Sequence, residues 1–174
     1  MEVRNIFSLY AENWFREQQP SVSESIIKFV GYLLSGDAEA VSAALNNDLL
    51  MNPSSYDLVM ENSYHMFIYG MLSAVSGDYI VQSNQESGKG RSDCVIKPLD
   101  KSKSAVIVEF KHIKNMPPGG LMEEALSGLE QIEEKTYTHS LKREGYERVF
   151  KYGIAFHKKT CEVAMGVALD KSIY

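Results

Sequence analysis

The chain has 174 residues, of which 44% are hydrophobic and 24% charged. Those fractions fit an ordinary folded domain and exclude a disordered or fibrous chain. The formal net charge of −5 makes the whole a poor non-specific binder of polyanions.

The first residues, MEVRNIF, lack a basic head followed by an apolar stretch, so no secretory signal is expected. Ile6, Leu9, Tyr10 and Trp14 follow three-four spacing and predict a first amphipathic helix, with Trp14 as its anchor. Pro20-Ser21 breaks it. Ser21 with Glu24 three residues on forms a capping box and predicts a second helix to about residue 34. Within it lies the longest apolar run, 26–34. Lys28 and Gly31 interrupt that run, far short of the roughly 18–20 residues that cross a bilayer. Gly36-Asp37 ends the second helix, and an alanine-rich third follows over 38–45. Asn52-Pro53-Ser54-Ser55 is the clearest boundary in the chain. It divides a helical region, 1–52, from a second unit, 53–174.

Beyond the boundary the pattern changes. A long helix is expected over 56–75, carrying Leu58, Glu61, Tyr64, His65, Ile68, Leu72 and Val75 on one broad face. Gly77-Asp78 ends it, and a short strand follows over 79–83. Two further strands, 91–98 and 104–111, flank the loop 99–103. Pro117-Pro118-Gly119-Gly120 is a sharp break. One helix is expected over 121–141, with Met122, Ala125, Leu126, Leu129 and Ile132 as its apolar face. Two last strands, 149–155 and 161–168, surround His157-Lys158-Lys159-Thr160. The order is three helices and then α-β-β-β-α-β-β. This is an α/β fold with a mixed sheet flanked by helices. Cys94 and Cys161 are too few for a disulfide framework and read as small buried apolar groups, with a reducing, cytosolic setting as the default.

Charge is uneven along the chain. Residues 1–88 carry eleven acids and three bases, whereas 89–114 carry seven bases and three acids. Such a basic stretch either keeps a hairpin solvated or faces phosphates; charge alone favours the former.

The chemistry concentrates in Ala105-Val106-Ile107-Val108-Glu109-Phe110-Lys111. Its apolar start predicts a central strand buried on both faces. Period-two alternation points Glu109 and Lys111 to one face and Phe110 to the other. A hairpin centred near Lys101 sets position 93 opposite position 109, so Asp93 and Glu109 become neighbours across two strands. Two carboxylates that close repel unless a cation lies between them. A hard divalent ion such as Mg²⁺ accepts carboxylates, carbonyls and water, and Asp93, Glu109 and the Phe110 carbonyl supply half a shell. Lys111 beside them can orient water and offset negative charge. Against this stands the plain alternative of a salt-bridged strand end.

Asp93, a spacer and Glu109-x-Lys111 closing an apolar strand resemble the PD-(D/E)XK nuclease superfamily. The words ENSYH at 61–65, SNQESGKGRSD at 83–93, VEFK at 108–111, LEQI at 129–132 and YGIAFHKKTCEV at 152–163 resemble the subgroup found behind an AAA-type ATPase-like domain. The resemblance covers 56–170 and implies a restriction-endonuclease-like core. It implies Asp93 and Glu109 as metal-binding acids and Lys111 as the catalytic lysine. Glu61 becomes an additional acid and candidate for a second metal, and Gln131 a polar residue bordering the site. Glu86 and Arg91 belong to the subgroup's word. Ser92 stands where the superfamily name has proline.

The activity implied is Mg²⁺- or Mn²⁺-dependent hydrolysis of nucleic acid, DNA ahead of RNA. Lys89, Arg91, Lys158 and Lys159 are candidates for nucleic-acid contact. The rival reading is a non-catalytic nucleic-acid- or protein-binding module on the same fold. No GxxxxGK[ST] loop is present, while VRNIFSLYAENWFRE at 3–17 resembles the connector that follows the ATPase-like part. An ATPase-like domain and a second copy of the chain are therefore candidate partners; a membrane is not. Among the remaining residues, His65 reads as a packing or hydrogen-bonding group and Tyr137 as helix-terminal packing. His112 and His157 read as solvent-facing, and His139 has no partner in sequence.

Overall fold

The structure is a computed structural model that describes residues 20–49, 61–74, 77–87, 90–115, 120–134 and 137–169. The first expected helix, with Trp14, lies outside the described residues, as does the Asn52–Ser55 boundary. The elements run α1 (Pro20–Ser35), α2 (Ala38–Ala44) with a π-helical turn (Leu45–Leu49), α3 (Glu61–Ala74), β1 (Tyr79–Ser87), β2 (Gly90–Pro98), β3 (Ala105–His112), α4 (Gly120–Glu134), α5 (Tyr137–Arg143), β4 (Arg148–His157) and β5 (Thr160–Leu169). The five strands form one sheet in the order β1-β2-β3-β4-β5. Only β3 and β4 are parallel. That pair requires a crossover, and α4 and α5 supply it.

Strand β3 is buried on both faces, as its uninterrupted apolar start requires. Val106, Val108 and Phe110 join Phe150, Tyr152, Ile154 and Phe156 beneath α1, α2 and α3. Ala105 and Ile107 join Val149 beneath α4 and α5, where Ile132, Tyr137, Leu141 and Tyr146 cover them. The N-terminal helices share the first of these cores through Phe29, Leu33, Val41 and Leu45. Two polar devices fasten them. Tyr152 Oη donates to the Leu33 carbonyl (3.0 Å) at the end of α1. Asn46 treats β5 as a neighbouring strand would: its Nδ2 donates to the Cys161 carbonyl (3.0 Å) and its Oδ1 accepts from Cys161 N (2.8 Å). Between α1 and α2, Gly36 adopts φ +79°, and a Cβ there would press on the Phe150 ring. Asp37 then caps α2 by accepting from Ala40 N (3.0 Å), a cap worth about 1 kcal/mol.

Several expectations are corrected. Of the span expected as one helix, 121–141, the described residues form α4 and α5, and Lys135 and Thr136 between them lie outside the described residues. Leu121, Ala125, Gly128 and Ile132 are buried at helical spacing, but the next buried residues are Tyr137, Thr138 and Leu141, with His139 exposed. That is a new phase, so a straight helix cannot bury both sets. Met122 and Leu126, expected inside, are 41% and 49% exposed, because α4 seats its small residues against the sheet instead. Strand β1 extends to Ser87, past the expected 83, since its ladder with β2 continues to Gly90. His112 is half-buried against the Tyr64 ring, and His157 is half-buried with Nδ1 at 2.9 Å from the Ile113 carbonyl, so neither simply faces solvent.

The basic hairpin is largely structural. Lys97 pairs with the Glu144 carboxylate (2.9 Å), and Lys101 donates to the Glu144 carbonyl while lying over the Tyr146 ring. Tyr146 Oη closes the joint by donating to the Pro98 carbonyl (2.7 Å).

Helix α4 approaches β4 through glycines. A Cβ on Gly153 would collide with the Ala125 carbonyl, and one on Gly128 would sit 3.1 Å from Gly153 Cα. A second tie is the ion pair of buried Lys151 with Glu133. Two outcomes follow. Gly153→Ala is expected to lower stability by about 1–3 kcal/mol, the range for overpacking, and Gly128→Ala by less; thermal unfolding of both checks the order. Burial pushes the Lys151 ammonium below its usual range. The unfolded chain then binds the extra proton between that lowered value and 10.5, so stability rises with pH through this window. Lys151→Met is expected to gain most in unfolding temperature below the window, with the gain fading at its upper end.

Candidate active site

The β2–β3 ladder pairs Ile96 with Val106, Val95 with Ile107 and Cys94 with Val108. This register is centred on Lys101, as hairpin arithmetic predicts, and its next step sets Asp93 beside Glu109. There the main-chain pairing gives way to a side chain. Asp93 Oδ2 accepts the Phe110 N–H at 2.8 Å, taking the place of a β2 carbonyl. A strand residue presents its N–H and C=O toward the same neighbour. The Phe110 carbonyl is therefore directed toward the same gap as the Asp93 carboxylate.

Glu109 is 3% exposed. A carboxylate so far out of water is costly unless hydrogen bonds or a cation meet it. On the other side of β3, Glu109 faces Gly153 across the parallel ladder. A Cβ on Gly128 would lie 3.8 Å from Glu109 Cβ, so α4 rests directly on the catalytic-strand candidate. One helical turn beyond Gly128, Gln131 Oε1 accepts from Lys111 Nζ at 2.5 Å. The amide oxygen aims the ammonium without cancelling its charge.

Phe110 points to the opposite face, as alternation requires. Its ring lies 5.6 Å from that of His65, whose Nε2 is 2.9 Å from Ser83 Oγ in β1. His65 thus packs and hydrogen-bonds, as expected, and braces the strand from behind. Tyr137 is buried in the core, in line with its packing role. Cys94 and Cys161 are both buried free thiols, their pKa pushed up to about 12 chiefly by desolvation.

The structure therefore brings Asp93, Glu109, Lys111 and Gln131 to one end of β3. It does not bring every expected residue there. Glu61 opens α3, which packs on the opposite face, and its side chain lies outside the described residues. Glu86 and Arg91 are cross-strand partners in the β1–β2 ladder, with side chains outside the described residues, and Lys89 lies outside them altogether. Ser92, where a proline was the alternative, is buried within β2 opposite Gln85. Lys158 and Lys159 form the β4–β5 turn. Sequence reasoning missed Gly128 and Gly153, the pair that sets how near α4 lies. Their signal was a glycine inside a helix and another inside a buried strand, each a sign of close approach.

Among the described residues, no three His, Cys, Asp and Glu side chains gather closely enough to hold a metal by themselves. Two carboxylates and a carbonyl nevertheless make an all-oxygen donor set, the kind that suits Mg²⁺ or Mn²⁺ and disfavours softer ions. Asp93, Glu109 and the Phe110 carbonyl would supply half a coordination shell at most.

A sequence profile of the PD-(D/E)XK nuclease superfamily matches residues 59–165, more than half of the chain. No curated protein matches it. The matched span begins just ahead of α3 and runs into β5, covering the mixed sheet and its crossover. Members of this family are nucleases in general and use divalent metals. By that match, and by a five-stranded mixed sheet flanked by helices, the chain belongs to the PD-(D/E)XK nuclease superfamily.

Proposed function

We propose that the chain is a divalent-metal-dependent nuclease that hydrolyses phosphodiester bonds, with DNA as the preferred substrate. The observation that carries this reading is the Lys111 ammonium, aimed by Gln131 at the strand end where Asp93 replaces a main-chain partner. Asp93, Glu109 and the Phe110 carbonyl would hold Mg²⁺ or Mn²⁺, and Glu61 is the candidate for a second site. A bound ion supplies Lewis-acid charge against the scissile phosphate.

The chain's own groups have separable tasks. Lys111 Nζ hydrogen-bonds the attacking water and keeps its oxygen in line with the phosphorus–oxygen bond that breaks. Its positive charge offsets the negative charge that builds on the phosphoryl oxygens. Gln131 fixes the ammonium's direction, so it is a positioning residue. Asp93 has two tasks, since one carboxylate oxygen closes the strand gap and the other is left to face the ion. Glu109, buried at the strand end, keeps water away from one side of the site. The link to an ATPase-like front half rests on the five sequence words alone.

Plasmid nicking with Mg²⁺ or Mn²⁺ tests the reading. Asp93→Ala is expected to abolish nicking and to remove the Mn²⁺ binding heat in titration calorimetry. Lys111→Met is expected to lower nicking by at least about 100-fold with Mn²⁺ binding retained. Gln131→Leu is expected to lower it by about 10–100-fold, as loss of an orienting partner does. Nicking that persists in both Asp93→Ala and Lys111→Met overturns the assignment. Binding without nicking, unchanged in both, supports the binding-module alternative.

A further inference from the structure

We infer that the β4–β5 hairpin tip is a cationic ledge that grips the nucleic-acid backbone beside the scissile phosphate, with Lys158 and Lys114 as its contacts. This rests on the nuclease reading of the neighbouring strand end. Strands β3 and β4 are parallel, with Lys111 opposite Ala155 and His112 opposite Phe156. The tip therefore emerges at the same end of the sheet as Glu109 and Lys111. Lys158 lies three residues past the partner of Lys111, roughly 10 Å at about 3.3 Å per residue. That equals the axial rise of about three base-pair steps of a duplex.

The tip is held, not loose. Tyr64 of α3, itself fully buried and stacked on Phe156, donates its hydroxyl to the Lys158 carbonyl (2.7 Å). On the other side, His157 Nδ1 meets the Ile113 carbonyl, and Ile113 N donates to the Phe156 carbonyl (2.9 Å). These bonds bring Lys114, which follows Ile113, alongside the tip. Lys114 and Lys158 are both exposed.

Lys158 also has a conformation that its side chain does not favour. Its φ is +54°, the one positive φ of a non-glycine residue among the described residues. Two-residue hairpin loops give such a position to glycine or asparagine. A lysine there accepts strain that glycine would avoid, and strain of this kind gathers at binding sites. In a chain of net charge −5, this end of the sheet carries Lys111, Lys114, Lys158 and Lys159 together. Lys97 and Lys101 lie at the opposite end of the sheet, where Glu144 engages them. Charge complementarity selects a polyanionic backbone as the occupant.

The test is the full chain binding a fluorescent DNA duplex in EDTA, read by anisotropy over a salt series, with thermal unfolding alongside. Lys158→Gly is expected to unfold at the same or a higher temperature yet bind severalfold more weakly. The slope of log affinity against log salt should fall by about 0.9 in Lys158→Gly and by about twice that when Lys114→Ala is added. Undiminished binding and an unchanged slope in the double variant overturn the ledge, as does absence of duplex binding by the parent. Nicking of plasmid by the parent with Mg²⁺ is scored separately. Lysine-dependent binding without nicking leaves the ledge standing and removes the catalytic reading; nicking with lysine-independent binding does the reverse.

Discussion

The hydrogen bond from Phe110 N–H to Asp93 is the constraint on which the rest of the site depends. Two antiparallel strands that kept pairing to their ends would leave no room for chemistry between them. Here β2 and β3 pair through Cys94 and Val108, and then a carboxylate takes the place of the next main-chain acceptor. The exchange satisfies the donor that the gap exposes. It also holds an acid at the end of β3, one residue along from Glu109. One residue thus serves both the sheet and the site, so substitutions at Asp93 perturb both.

The other half of the geometry comes from what is missing. Gly153 lacks the side chain that would push α4 away, and Gly128 lies directly above it. Only because the helix sits this low does Gln131 reach Lys111. The Lys151–Glu133 pair ties the same helix to the same strand from the next outward-facing position. The placement of Gln131 and Lys111 is set by a helix resting on backbone, which tolerates less drift than one resting on long side chains.

Much of this was legible in the residues, and the parts that were not have physical reasons. Hairpin arithmetic about Lys101 set the β2–β3 register, because a short loop leaves the partners little freedom. Alternation put Glu109 and Lys111 on one face and Phe110 on the other. The shift in buried phase from Ile132 in α4 to Tyr137 and Leu141 in α5 was harder to see, since no Gly or Pro among the described residues of either helix marks it after Gly128. Gly128 and Gly153 each signalled a close approach, but two glycines 25 positions apart carry no sign that they approach one another. For the basic stretch, charge alone favoured a hairpin role over phosphate contact, but composition does not reveal that Glu144 will engage both Lys97 and Lys101.

Asn46 has a consequence for the order in which the molecule is made. Its amide bonds Cys161, 115 residues away in sequence, and the helices it belongs to cover a face of the last strand. During synthesis those helices emerge before β5, and the Asn46 bonds form only after β5 has left the ribosome. For most of translation their apolar faces wait without a partner, a state that invites chaperone binding. Loss of β5 would therefore be felt at the helices that precede the sheet.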